Sequence, residues 1–508
     1  MKNETLCAKI KKKANLEDVM ENYLTYEEFG AVGDGVTDDI TAIAKCHEQA
    51  NLRSLPVKAR DGAKYYISGK KCPVTVKTDT DFGTAEFIID DRTVENQWYF
   101  IFYVVSDNSD FEFEIKDIST LSEYVENPYG RDLFVNVFDD DKKVYIRTGG
   151  NRNSGDPQSD CFILGADGKV RSPLNWQYSK ITRSVAKFID DTPITVKGGT
   201  FRTLANQRES RSSYYTRGIS VSRSNVTFEG ITHLVEGELD HGMPYGGFFN
   251  MGSSVNVVFK NCVLTPHRTY NRIDEGPAHG VPMGSYDINM SHCINVSLDN
   301  VTQSIDIQDR DYWGTYTSTF CKNLLLEDCA LSRFDSHQGV NGVVIRRCKI
   351  GYQSLSMIGF GDAVIEDSSV YGRSVVTLRN DYGSTWRGNV YIRNCTWIPE
   401  KTPFAWQPPR TEMCVFHMIN TGDHDYGYTC YLPEHVVIDG LFVDDREFTG
   451  DEPVFVFDDY DKNFSKDKPY PYVTTKKLEV SGVTVKSGKG ITLARSPELF
   501  EGIEVKGL

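Results

Sequence analysis

One nine-residue pattern recurs ten times between Pro193 and the C-terminus of this chain. Each copy has a polar or turn residue, an apolar alternation, a small or polar pair, and a second alternation. The copies read PITVKGGTF from Pro193, NVTFEGITH from Asn225, NVVFKNCVL from Asn256, NVSLDNVTQ from Asn295 and NLLLEDCAL from Asn323. They continue as GVVIRRCKI from Gly342, DAVIEDSSV from Asp362 and NVYIRNCTW from Asn389, with weaker copies HVVIDGLFV from His435 and KLEVSGVTV from Lys477. Period-two alternation means strands, and the central pair marks a bend between two of them. The starts lie 19 to 46 residues apart. A unit that needs about 20 residues and tolerates variable excess is the coil of a parallel β-helix, with the surplus bulging as loops. A propeller would keep a steadier period of about 40, with four strands per blade.

In such a coil, equivalent positions stack into columns along the axis, and apolar columns fill the interior. Cys262, Cys329, Cys348 and Cys395 fall at the same point of the repeat. They read as an interior ladder of small hydrophobes rather than a metal or redox site.

Composition excludes several classes. With 27 Phe, 27 Tyr and 6 Trp the chain is not disordered. A net charge of −15 over 508 residues gives no basic footprint for nucleic acid. The longest apolar run, Trp98 to Val105, is far short of the roughly 20 residues a membrane span needs. The opening MKNETLCAKIKKKANLEDVM has no apolar core of a signal peptide, and twelve Cys without CxxC or zinc spacing suit reduced thiols. The expectation is a cytoplasmic protein with no nucleic-acid or membrane partner.

The first 190 residues follow another plan. Leu16 to Leu24 and Thr37 to Asn51 read as helices, the second capped by Thr37 or Asp38, and they would cover the open end of the coil stack. Between Phe82 and Val170 the sequence is β-rich. DDDKK and ADGK, each set between apolar runs, read as hairpin turns. The expected organisation is a cap and first coil segment over 1–81, a β-rich insertion or arm over 82–190, and the β-helix with its groove over 191–508. The arm would either form an oligomer contact or wall the groove.

FGAVGDGVTDDITAI from Phe29, followed by LPVKARDGAKYYISG from Leu55, closely resembles the opening of the pectate-lyase-like superfamily of right-handed parallel β-helices. That superfamily includes polygalacturonase-related glycosidases, polysaccharide lyases and phage tailspikes. With the repeat, the resemblance implies an all-β protein: a right-handed parallel β-helix solenoid with an N-terminal helical cap and an inserted β-rich subdomain. It implies a carbohydrate partner, while leaving the reaction open.

A coil interior cannot hold unpaired charge, so chemistry belongs on an outer face. Ten to eighteen residues past successive repeat starts lie Asp240 and His241, then Asp309, Arg310, Tyr312 and Trp313, then Arg333, Asp335 and His337. Tyr286 and Asp287 precede Asn295, and Arg379, Asp381 and Tyr382 precede Asn389. Successive coils would set these side by side, with walls from the long loops His267–Met290 and Trp397–Glu434. Trp313, Tyr312, Trp386 and Trp406 are candidates to stack on sugar rings.

Such residues suit glycoside chemistry. Hydrolysis needs two carboxyl groups, one acid and one base or nucleophile. A lyase needs a base beside a uronate carboxylate and a cation to neutralise it. The polygalacturonase motifs Asn-Thr-Asp, Asp-Asp, Gly-His-Gly and Arg-Ile-Lys are not intact here. An echo survives in order as Tyr286-Asp287-Ile288, Gln308-Asp309-Arg310, Ser336-His337-Gln338-Gly339 and Arg379. The expected roles are Asp309 as general acid, Asp335 or Asp287 as base or nucleophile, and His337 as the group that orients or tunes them. Tyr286, Arg310, Arg333, Arg379 and Asp381, with Asp240, His241, Tyr312 and Trp313, would bind substrate. No cofactor is expected; calcium beside Asp458, Asp459 and Asp461 or beside Asp139, Asp140 and Asp141 is the one metal considered. A polysaccharide lyase on the same fold and a non-catalytic, tailspike-like glycan binder are the alternatives to a glycoside hydrolase.

Overall fold

The computed structural model describes residues 22–401, 411–418, 424–460 and 473–508. The repeat becomes a parallel β-helix whose coils carry three strand columns. One column runs through Ile194–Lys197, Val226–Glu229, Val255–Lys260 and Ile294–Asp299, each parallel to the next and in register. The second runs through Lys64–Ile67, Glu86–Asp90, Thr200–Leu204 and Thr232–Glu236. The third runs from Phe102–Val105 through Ile219–Ser222, Gly246–Gly252 and Tyr286–Ser291 to Thr315–Glu327, Arg333–Arg346, Leu355–Met357 and Val376–Leu378. Alternate residues of every column enter one continuous apolar core.

The bend between the first two columns has a simple cause. Asn261, Asp328, Arg347 and Asn394 all adopt positive φ near 50°, a region non-glycine residues enter mostly as Asn or Asp. Each is followed by one of the four ladder cysteines, whose Sγ donates to the carbonyl two residues back at 3.2–3.3 Å. The thiols are buried. The asparagines at the repeat starts form a ladder too: Asn256 donates to Asn225, Asn295 to Asn256 and Asn323 to Asn295, at 2.9, 2.9 and 3.0 Å.

Some local expectations are corrected. Residues 22–24 carry no helix, and the rest of Leu16–Leu24 lies outside the described residues. The cap helix spans Ile40–Arg53, because a strand occupies Asp34–Asp38; Asp39 stands at its N-cap but turns its carboxylate back to Val32 and Gly33. DDDKK is not a turn. It lies inside the strand Leu133–Val144, which pairs antiparallel with Asp156–Leu164. ADGK does turn the chain, with Leu164 bridged to Val170.

The strands Glu86–Asp90 and Phe102–Val105 stack on the coils, so the antiparallel sheet starts only at Phe111. It has four strands and ends at Phe188. Its tip, around 145–155, reaches the coil between two loops: Ile146 N donates to Tyr426 O, and Gly150 packs on Val281 and Pro277. Among the described residues no helix is long and apolar enough to cross a membrane.

Candidate active site

The third column gathers the chemistry. Positions 286, 315 and 333 are in register on neighbouring strands, as are Asp335, Ser356 and Thr377. Arg379 lies just beyond Leu378, the end of its strand, and reaches back across two strands. Its Nη1 donates to both oxygens of Asp335 at 2.9 and 2.8 Å and to His337 Nδ1 at 2.8 Å. Its Nε and Nη2 donate to Asp381 at 3.1 and 2.7 Å. Arg333 pairs with Asp335 at 3.0 Å from the other side. The insertion closes the cluster: Arg147 pairs with Asp381 at 2.8 Å and lies over the Tyr382 ring.

These contacts fix protonation. Burial alone would raise the Asp335 carboxyl, but Arg333 and Arg379 overturn it and hold the group far below the usual carboxylate range. Burial opposes the ionisation of Asp381 in the same way, yet Arg379 and Arg147 bring it down to about 2. Arg379 is correspondingly locked as a cation, since Asp335 and Asp381 outweigh the burial that would discharge it. Burial, then Arg379, lowers His337, which stays neutral. A guanidinium has no acceptor, so the short Arg379–His337 contact makes Nδ1 the acceptor and leaves the proton on Nε2. That Nε2 lies 3.4 Å from the Tyr382 hydroxyl.

The solvent side of the cluster shows His337, Asp381, Arg147 and Tyr286, each partly exposed. Tyr286 stacks on Tyr214 at 5.9 Å. Its phenol is raised chiefly by burial and then by Asp335, against the pull of Arg379, Arg333 and Arg147. Trp313 forms the floor beneath Arg333, whose guanidinium lies 5.1 Å from the indole. A Cβ on Gly284 would come within 2.0 Å of that indole, so the close approach requires glycine.

No protein-family model matches the chain. A depolymerase of Klebsiella phage P510, specific for capsule KL64, is 24% identical over 155 residues. That stretch covers 27% of this chain and only 15% of the depolymerase's length. Among solved structures, the gp54 tailspike of Acinetobacter baumannii bacteriophage AP22, solved with a capsular saccharide, gives a TM-score of 0.52 at 13% identity over 95% of this chain and 79% of its own. The gp49 tailspike of Pseudomonas phage LKA1 gives 0.51 at 12% identity over 93% and 82%. The gp61 tailspike of Pseudomonas phage phi297 gives 0.50 at 10% over 96% and 84%. The likeness is one of fold.

The expected residues divide into three groups. Arg333, Asp335, His337, Arg379, Asp381, Tyr286 and Trp313 meet in the cluster. Asp309, Arg310 and Tyr312 sit on an adjoining turn, tied to it through Tyr352, whose hydroxyl donates to Arg310 O and Tyr312 O and accepts from Gln353, the partner of Arg333. Asp309 is exposed and accepts from Asp311 N within its own turn; no hydrogen bond or ion pair joins it to Asp335 among the described residues. Asp240 and His241 pair with each other at 2.7 Å on a solvent loop, outside the cluster.

Asp287 is a correction. A register shift between Tyr286 and Ile288 leaves it as the extra residue of the strand, fully buried beside Tyr316 and Gln303. Burial raises its carboxyl to about 8, so it is neutral inside the coil rather than a base in the groove. Trp386 is likewise core, its Nε1 donating to Gly361 O, and Trp406 lies outside the described residues.

The calcium candidates are occupied by protein partners. Asp140 pairs with Arg183, Asp141 with Lys180, Asp458 with His417 and Asp459 with Ser496, while Asp461 lies outside the described residues. Glu412, Cys414 and Asp458 bring ligand atoms within 4.8 Å of one another, but Arg495 holds Glu412 and His417 holds Asp458. Two charged groups beside the cluster escaped the sequence reading. Arg147 comes from the insertion, which has no repeat to index it. Glu400 follows the strand Asn389–Pro399, pairs with Arg310 at 3.0 Å, and is raised by burial to about 6.

Proposed function

We propose that this protein cleaves an acidic polysaccharide, by β-elimination beside a uronate carboxylate. The composition of the cluster carries the reading. Three guanidiniums surround two carboxylates held ionised, beside a neutral imidazole of fixed tautomer and a phenol. Hydrolysis needs a carboxylic acid to protonate the leaving oxygen, and neither Asp335 nor Asp381 is free to carry that proton. Elimination needs a cation against the substrate carboxylate, a donor to the developing enolate oxygen, and a base. Arg147 and Arg333 offer the cation, His337 Nε2–H the donor, and the Tyr286 oxygen the base. The α-proton passes to that oxygen, its bonding pair forms the new double bond, and the glycosidic C–O bond breaks with its pair left on the departing oxygen, which takes the proton back from the Tyr286 hydroxyl. The capsule-depolymerase name of the Klebsiella phage relative supports a glycan substrate.

The test incubates the protein with uronate-containing polysaccharides and follows new reducing ends together with ultraviolet absorbance of the unsaturated product. Both should rise, and His337→Ala should slow them by about 10²-fold, the cost of removing one oxyanion donor. Reducing ends without absorbance would overturn elimination. They would favour hydrolysis with Glu400 as acid, a reading supported by its half-protonated state near pH 6.

A further inference from the structure

Behind the charged cluster, the insertion and the coil form a half-open cavity of about 200 Å³. Aromatic side chains make up part of its walls. Trp176 comes from the insertion, and Phe360, Tyr428 and Tyr431 come from the coil side. Trp176 meets Phe360 edge to face at 5.0 Å and Tyr428 at 5.8 Å. Tyr145 lines the cavity and packs on Tyr382 at 5.8 Å, so these two rings stand between it and His337.

Two cations point to a ligand. Lys142 and Arg387 both line the cavity from its solvent side, and among the described residues neither has a carboxylate partner. Most arginines near the groove, by contrast, are paired. Arg387 rests instead over the Tyr431 ring at 5.3 Å.

We infer that this cavity is a second binding site, for one anionic sugar unit. The aromatic side chains suit the C–H faces of a pyranose, and the two cations suit its carboxylate. The volume, below the roughly 300 Å³ where drug-sized pockets begin, fits one sugar ring inside the cavity. The inference rests on the glycan reading for its ligand class, and on none of the elimination chemistry.

Tryptophan fluorescence titrated with glucuronate and with glucose tests it. Glucuronate should change the emission saturably in the millimolar range and glucose far less. Trp176→Phe should abolish most of the change, and Arg387→Ala should weaken glucuronate at least tenfold while leaving the unfolding midpoint in place. No response to glucuronate, or a response unaltered in Arg387→Ala, overturns the inference. His337→Ala separates the two proposals: its titration should match the unsubstituted protein even though its cleavage is slowed about 10²-fold. A titration that succeeds where no polysaccharide is cleaved would leave the binding site standing and sink only the enzyme reading.

Discussion

At the scale of residues, Tyr286 and Glu400 make opposite demands on pH. If the Tyr286 oxygen is the base, the phenol must first ionise, and its pKa is raised above the usual value near 10. The rate should then climb steadily through the alkaline range. If Glu400 is the acid of a hydrolase, it must be protonated, and with its carboxyl at about 6 the rate should fall above that pH. A pH–rate profile on any cleaved glycan decides between them by the sign of one slope. Asp335 makes a stability prediction. Its folded carboxyl lies below its unfolded value, so the stabilisation is complete above roughly pH 4 and fades as pH falls toward the folded value. Asp335→Asn leaves Arg379 and Arg333 short of a buried counter-charge and should cost about 3 kcal/mol at neutral pH, seen as a lower urea midpoint. An unchanged midpoint would mean that the arginines are solvated. Arg333, Asp335, His337 and Arg379 were legible in the sequence because the repeat numbers the coils. Arg147 was not, because an insertion shares no register with them. Asp287 was misplaced because a one-residue shift in a strand turns a side chain to the other face, and nothing in the local pattern announces it.

At the scale of elements, the repeat was legible because the strand pairs and the bend leave separate marks: period-two alternation for the strands, and Asn or Asp before a small residue for the left-handed turn. The Asn-Val-Thr and Asn-Val-Ser starts look like glycosylation patterns, and the ladder gives them a structural reason instead. Asn256 joins Asn225 to Asn295 and holds φ at 57°. Asn256→Gly keeps the conformation and loses two exposed hydrogen bonds, about 0.5 kcal/mol each. Asn256→Ala loses the same bonds and adds about 1 kcal/mol of left-handed strain. Alanine should therefore destabilise more than glycine in urea unfolding, and the reverse order would show that left-handed strain does not select the residue at this turn. DDDKK was illegible for the complementary reason. Composition marked it as a turn, but the strand around it is pinned by pairing with Asp156–Leu164, and the long-range partner overrides a local preference.

At the scale of the molecule, the groove depends on how the insertion is held. Lys322, on a coil strand, and Asp160, on the insertion, form an ion pair at 2.7 Å in which both side chains are fully buried. Lys322 also donates to Pro173 O, and the second Asp160 oxygen accepts from Asn175 N at 2.5 Å. Every one of these contacts joins insertion to coil or braces the insertion beside the joint. Removing one partner strands a buried charge, so Lys322→Met should cost about 3–5 kcal/mol. Because Lys322 and Asp160 contact each other, the double variant with Asp160→Leu should cost less than the two single losses together. The cost should appear locally: the sheet 111–188 should lose protection from proteolysis before the coil unfolds. Arg147 leaves with it, so cleavage should fall at temperatures where the β-helix is intact. If Lys322→Met instead unfolded in one transition with activity tracking the folded fraction, insertion and coil would be a single cooperative unit, and Arg147 would be as permanent a part of the cluster as Arg379.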